Sequence, residues 1–197
     1  MAGIWAGRPS RREALAQRAD RVPDGHIPAI RWRSVSLMTY CINKPLVLAL
    51  GNDMLGDDGV AFHAAVALRE EFGDRADILP TGEAGLPLLD HMAAYRRVLI
   101  LDAAYTGLCP PGTILRWDRE DFRRCVAPSQ HAAGLPQLLD LAERLGLEFP
   151  SELRVVCMEV HDPTVFRESL TPEARRALPD MIAASRGIIS SWTASPV

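Results

Sequence analysis

The sequence predicts an α/β fold with three layers, in which a mainly parallel, twisted five-stranded sheet lies between helices on both faces. Three observations predict it. Continuous apolar runs of strand length recur, as in strands buried on both sides. Segments of helical periodicity separate them, and Gly- and Pro-containing punctuation falls between the two. Strands joined through helices imply right-handed crossovers and parallel pairing. Of the 197 residues, 48% are hydrophobic and 24% charged, which supports a real core in a single domain.

Each element follows from its local pattern. Leu46 to Leu50 is a wholly apolar run stopped by Gly51-Asn52, a buried strand. Val60, Ala64, Ala67 and Leu68 recur at helical spacing and mark one face of a helix running to about Phe72. Ala76 to Leu79 reads as a short strand and Leu86 to Ala94 as a short helix. Arg97 to Leu101 is the second strong buried strand, closing on Asp102. Pro110-Pro111-Gly112 punctuates the start of a strand at Gly112–Trp117. Leu135 to Leu145 carries Leu135, Leu138, Leu139, Ala142 and Leu145 on one helical side, and Leu153 to Val160 is the last strand. Thr171-Pro172-Glu173 opens a final helix with an N-cap, a first-turn proline and an acid at the positive end of the dipole.

Residues 1–43 differ from the rest of the chain, and the α/β domain is expected over residues 44–197. The head is rich in Arg, Pro, Gly and Ser and lacks a sustained apolar period. Ser10-Arg11-Arg12 invites a twin-arginine export reading, but no apolar stretch comes after it for that machinery to recognise. A disordered extension or a misassigned start is expected instead, with Met38, eight residues before the first strand, as a natural beginning.

Charge and composition remove several function classes. Residues 1–40 hold seven arginines against three acids, whereas the remainder holds 15 basic and 22 acidic side chains. An acidic body argues against nucleic acid as a partner, because phosphate contacts need a basic face. No apolar run approaches the roughly 18–20 residues of a membrane-spanning helix, so no membrane partner is expected. Cys41, Cys109, Cys125 and Cys157 form no CxxC pair and no zinc-ligand spacing. Reduced thiols in a cytoplasmic protein are the expectation. The oligomeric state is not written in the sequence; a monomer is the default.

In parallel α/β sheets ligands bind beyond the carboxyl ends of the strands, where strand order reverses, and three candidates fall there. The first strand runs into Gly51-Asn52-Asp53-Met54-Leu55-Gly56-Asp57-Asp58-Gly59. Its glycines suggest a phosphate cradle, but the spacing is not GxGxxG, and two carboxylates stand where a phosphate loop has Lys and Ser or Thr. Asp57 and Asp58 would attract a cation instead. An acid pair at a helix start is equally explained as a cap that gains from the dipole. Asp102 shifts that balance, because a carboxylate directly after an apolar strand is poorly placed unless something needs it. His131, in a loop just before a helix, supplies an imidazole for the two carboxylates to meet.

Taken in order, Gly51-Asn52-x4-Asp57-Asp58-Gly59, the strand ending Leu99-Ile100-Leu101-Asp102-Ala103, and His131-x-x-Gly134-Leu135 closely resemble the endopeptidases that mature the large subunit of [NiFe] hydrogenases. Gly82-Glu83-Ala84-Gly85, Pro111-Gly112-Thr113 and Leu170-Thr171-Pro172 add to the match, which covers about Leu46 to Ile189. The resemblance implies a twisted five-stranded sheet between helices. It implies removal of a short C-terminal extension from the large-subunit precursor once nickel has been inserted. Its metal-contacting positions carry over to Asp58, Asp102 and His131, with Asp58 where members have Asp or Glu. The family's usual Gly-Val-Gly after the acidic pair is Gly59-Val60-Ala61 here.

Two carboxylates and one imidazole leave coordination positions open, and nickel, zinc, iron and manganese all accept that set. There is no HExxH helix, and no Ser or Cys beside a base and an orienting group. The expectation is therefore nickel brought by the substrate precursor and read by Asp58, Asp102 and His131. The attacking water would be activated by a carboxylate, Asp57 or Asp58, or by the metal. A non-cleaving chaperone that checks nickel, or a metallohydrolase with an unrelated substrate, would retain the same residues.

Overall fold

The computed structural model describes residues 43–124, 129–144 and 150–194. The expectations for residues 1–42, Cys125 and Leu145 lie outside the described residues. Five strands, β1 (Leu46–Leu50), β2 (Asp77–Thr81), β3 (Arg97–Ala104), β4 (Ile114–Asp118) and β5 (Glu152–Glu159), form one sheet in the order β2-β1-β3-β5-β4. All neighbours are parallel except β4, which runs antiparallel to β5 along the outer edge. The mainly parallel α/β expectation holds.

Alternation along the strands sorts the core into two layers. Val47 and Ala49 of β1, with Leu99, Leu101 and Ala103 of β3, face one side. There α1 (Val60–Phe72) and α5 (Pro172–Thr193) cover them with Val60, Ala64, Leu68, Met181 and Ile189. Leu46, Leu48 and Leu50, with Val98, Ile100 and Ala104, face the other side. That layer is closed by α2 (Leu86–Met92), α3 (Arg119–Arg124) and α4 (Leu135–Arg144), through Leu88, Phe122, Leu135 and Leu139. The wholly apolar strands are wholly apolar because both faces are buried. Among the described residues, no helix is long and apolar enough to cross a membrane.

Three differences from the sequence pattern bear on the sheet and the site. β2 runs on through Pro80 to Thr81, which is tolerable because β2 is an edge strand with a neighbour on one side only. The helix α3 lies directly after β4, where Asp118 Oδ1 accepts the N–H groups of Glu120 and Asp121 and starts it. Most consequentially, β3 does not close on Asp102 but continues to Ala104. Its register with β1 stops at Leu101, while β5 keeps pairing at Asp102, Ala103 and Ala104. Asp102 therefore lies within a strand that outruns its neighbour. Because β1 leads left to β2 and the chain then returns right to β3, the order reverses between β1 and β3. The site expected from the sequence falls at that reversal.

Candidate active site

After Leu50 the chain turns sharply to reach α1, and Gly51 makes the turn at φ +151°. A Cβ there would stand 2.2 Å from the Asp58 carbonyl oxygen. Lacking one, the short 3₁₀ turn Gly56–Gly59 folds back over the end of β1 and carries both Asp57 and Asp58 into burial. With Asp102 and Glu159, these are all the buried acids among the described residues, and every one lies toward the carboxyl end of the sheet. Burying a carboxylate is costly unless it is paired or hydrogen-bonded, so the partners of each define its task.

Neither member of the acid pair caps α1, whose N-cap is Gly59 with no side-chain hydrogen bond. Asp57 turns toward the far end of the chain. Its Oδ1 accepts the Thr171 N–H at 2.7 Å and its Oδ2 accepts the Thr171 hydroxyl at 2.7 Å. Thr171 Oγ1 in turn accepts the Ala174 N–H at 3.2 Å and caps α5 as expected. Asp57 thus fastens the β1–α1 turn to the last helix. Asp58 turns the other way, and its Oδ2 lies 3.0 Å from His131 Nε2. The ion pair is nearly closed to solvent, with side chains 13% and 6% exposed for His131 and Asp58.

Asp102 sits on the strand face that carries Ile100 and Ala104, beneath the segment leading into α4. The Ser129 hydroxyl donates to its Oδ2 and itself accepts the Ala132 N–H at 2.9 Å. The other oxygen, Oδ1, is buried and has no hydrogen-bond partner. Burial pushes the Asp102 carboxyl up to about 7, aided by the charge of Asp58, while the Ser129 hydrogen bond, His131 and the Ala103 backbone N–H pull against it. His131 is raised above its usual range chiefly by the hydrogen bond to Asp58, against partial burial. The charge of Asp102 and the backbone of Glu83 act in the same direction as Asp58. Asp58, Asp102 and His131 are therefore electrostatically one group, and Asp57 stands outside it.

This arrangement brings together one buried carboxylate oxygen without a hydrogen-bond partner, a second carboxylate and an imidazole. Among the described residues, no group of three or more His, Cys, Asp and Glu is spaced to hold a metal ion. His131 Nε2 is engaged by Asp58 rather than turned outward. Of the other histidines described, His63 and His161 are exposed, and His91 pairs at 2.6 Å with the side chain of Glu83, whose backbone also acts on His131. The sequence pattern does not single out Ser129, although it sits two residues before His131. Nor does it single out Glu159, whose Oε1 accepts the Thr106 and Gly107 N–H groups at 2.9 and 2.7 Å and whose Oε2 accepts the Thr106 hydroxyl at 2.7 Å, fixing the loop after β3. For Glu159 the available signal is a lone acid at the end of an apolar strand, the same signal that marks Asp102.

Residues 62–186 match the family model described as hydrogenase maturation protease (HycI). The chain belongs to the hydrogenase maturation protease family. As a hydrogenase maturation peptidase it is similar to the hydrogenase 2 maturation protease of Escherichia coli (strain K12), with 32% identity over 133 residues, 64% of this chain and 75% of that one. It is also similar to the hydrogenase expression/formation protein HupD of Rhizobium leguminosarum bv. viciae, 28% identical over 152 residues, 75% of this chain and 74% of that one. Among solved structures, the hydrogenase maturating endopeptidase HybD from E. coli matches with a TM-score of 0.63 at 26% identity, covering 75% of this chain and 93% of that one. Asp102 and His131 lie inside the family match, and Asp58 lies four residues before it. Ala61, where this maturation protease departs from the Gly-Val-Gly pattern, is fully buried in the core layer under α1, so its methyl group is accommodated by packing.

Proposed function

We propose that this maturation protease removes the C-terminal extension of a [NiFe] hydrogenase large-subunit precursor after nickel insertion, and that Asp58, Asp102 and His131 read the nickel the precursor carries. The observation that supports this reading best is the Asp102 Oδ1 oxygen, buried and unpartnered beside the Asp58–His131 pair at the strand-order reversal. A buried acceptor without a donor is held at a cost of roughly 1–3 kcal/mol, and a cation supplies the missing partner. Carboxylate and imidazole donors suit nickel, which enters as part of the substrate. A bound metal supplies Lewis acidity toward a carbonyl oxygen. Both oxygens of Asp57 are engaged by Thr171, so general-base work falls to the carboxylates of the cluster rather than to Asp57.

The test is intact mass spectrometry of a large-subunit precursor incubated with this protein, with and without nickel. Loss of a C-terminal peptide from the nickel-loaded precursor alone is the expected result. Cleavage regardless of nickel keeps the protease and discards metal reading. A stable nickel-dependent complex without cleavage replaces the protease by a checking chaperone.

A further inference from the structure

The segment after β5 is strapped to the acidic turn. Gly56 N–H donates to the Arg167 carbonyl at 2.8 Å, Arg167 N–H donates to the Met54 carbonyl at 3.2 Å, and Leu55 and Arg167 form a parallel bridge. Three residues on, Leu170 leads into Thr171 and its two bonds to Asp57. The wall built by this segment is thus fixed to the same turn that presents Asp58. It borders an open groove of about 750 Å³ lined by Arg167, Ser169, Leu170, Pro172, Arg175 and Arg176.

The charge of this groove is out of balance. Arg167 and Arg175 form no ion pair among the described residues, and Glu168 forms none either. Arg176 has only Glu173, at 3.8 Å on an exposed pair, a contact of little strength. Three arginines therefore line one groove of a body whose sequence outside the head carries an excess of acids.

We propose that this groove holds an acidic segment of the polypeptide substrate beside the cutting site, an inference that rests on the protease reading above. Guanidinium forks match carboxylates in bidentate geometry, and three of them along a groove of this size call for several side-chain carboxylates rather than one chain terminus. The floor, Leu170 and Pro172, offers apolar contact to an extended backbone, and no aromatic ring lines the groove to stack a base. The start of α5 offers a phosphate little, because Pro172 has no N–H, the Ala174 N–H is on Thr171 Oγ1, and the Asp57 carboxylate stands against Thr171.

The test uses the full chain and a fluorescein-labelled hexaglutamate peptide, read by anisotropy at low and at physiological salt. Saturable binding that weakens with salt is expected. Arg167→Glu with Arg175→Glu should weaken it at least about tenfold, since each exposed pair is lost and a repulsion added. Arg116→Glu with Arg154→Glu, exposed positions on β4 and β5 away from the groove, should leave it unchanged. Absence of binding, or equal loss in both double variants, overturns the proposal. So does equal or tighter binding of labelled hexathymidylate with the same loss in the first variant, which would make the groove a nucleic-acid site. With a nickel-loaded precursor, the first variant should raise KM and leave kcat unchanged. Normal processing by that variant sinks the groove and spares the protease. Peptide binding without any precursor cleavage by the native chain does the reverse.

Discussion

The Ser129 hydroxyl donates to Asp102 Oδ2 while Asp102 Oδ1, on the same buried carboxylate, meets no donor. One oxygen is thus fixed to the loop that carries His131, and the other has no hydrogen-bond partner. Ser129 is held in turn by the Ala132 N–H, so hydrogen bonds join the strand acid to the loop just before α4. Ser129→Ala removes the only hydroxyl that opposes burial, and Asp102 then ionises less readily near neutral pH. We expect processing at pH 7 to fall several-fold and to recover at higher pH, with a stability loss of about 1–2 kcal/mol. A pH–rate profile of the variant against the native chain checks this; a uniform loss at all pH values rejects it.

The raised Asp102 makes stability depend on pH in an uncommon direction for an aspartate. The folded chain keeps the Asp102 proton up to about pH 7, whereas the unfolded chain releases it near 3.8. Between those values the folded state binds more protons, so this group's contribution to stability falls as pH rises and levels off above 7. The slope approaches about 1.4 kcal/mol per pH unit for one proton. Asp102→Asn removes the dependence. The variant should lose processing yet unfold at a higher temperature than the native chain at pH 8, with the gap shrinking toward pH 4. Thermal melts across that range decide it, and a gap that widens toward acid contradicts the burial argument.

Much of the fold is legible in the sequence, because apolar runs and helical stripes report burial directly. Both faces of β1 and β3 are buried, and the apolar runs Leu46–Leu50 and Val98–Leu101 show it. What escapes is set by neighbours. Pro80 reads as the end of a strand because sequence does not say which strands are edges. Asp102 reads as a strand terminus because a carboxylate is unexpected inside a pairing that only β5 continues. An acid pair at a helix start can be read as a local cap, yet Asp57 serves Thr171, the N-cap of a helix, 114 residues later. That partnership is tertiary, and no local spacing encodes it. Ser129 is invisible for the same reason, since a loop serine acquires meaning only through the strand it touches.

The division of labour between Asp57 and Asp58 gives a paired prediction. Asp57→Ala leaves the Thr171 N–H and hydroxyl without their shared acceptor and frees the start of α5. A loss of roughly 2–3 kcal/mol in denaturant unfolding is expected, with cleavage per folded molecule largely kept. Asp58→Asn, whose partner is His131, should abolish processing with little change in the unfolding midpoint. If Asp57→Asn, which preserves shape and an acceptor, stays folded but cannot cleave, then Asp57 is the general base and the present assignment is wrong.

Gly51 tests whether the backbone turn itself builds the site. It holds φ at +151°, and an added Cβ would fall 2.2 Å from the carbonyl oxygen of Asp58. Real Cβ atoms do not approach so closely, and the obstacle is backbone rather than a movable side chain. Gly51→Ala must therefore shift the Gly56–Gly59 turn, strain the backbone, or both, at a cost of about 3 kcal/mol or more. Because the displaced atom belongs to Asp58, the loss should include the Asp58–His131 ion pair. His131 would then titrate closer to an ordinary histidine, since the Asp58 hydrogen bond is the largest cause of its elevation. Histidine proton chemical shifts followed by NMR through a pH titration would register the drop. An unchanged His131 titration in a folded Gly51→Ala chain would mean that the ion pair does not depend on this turn.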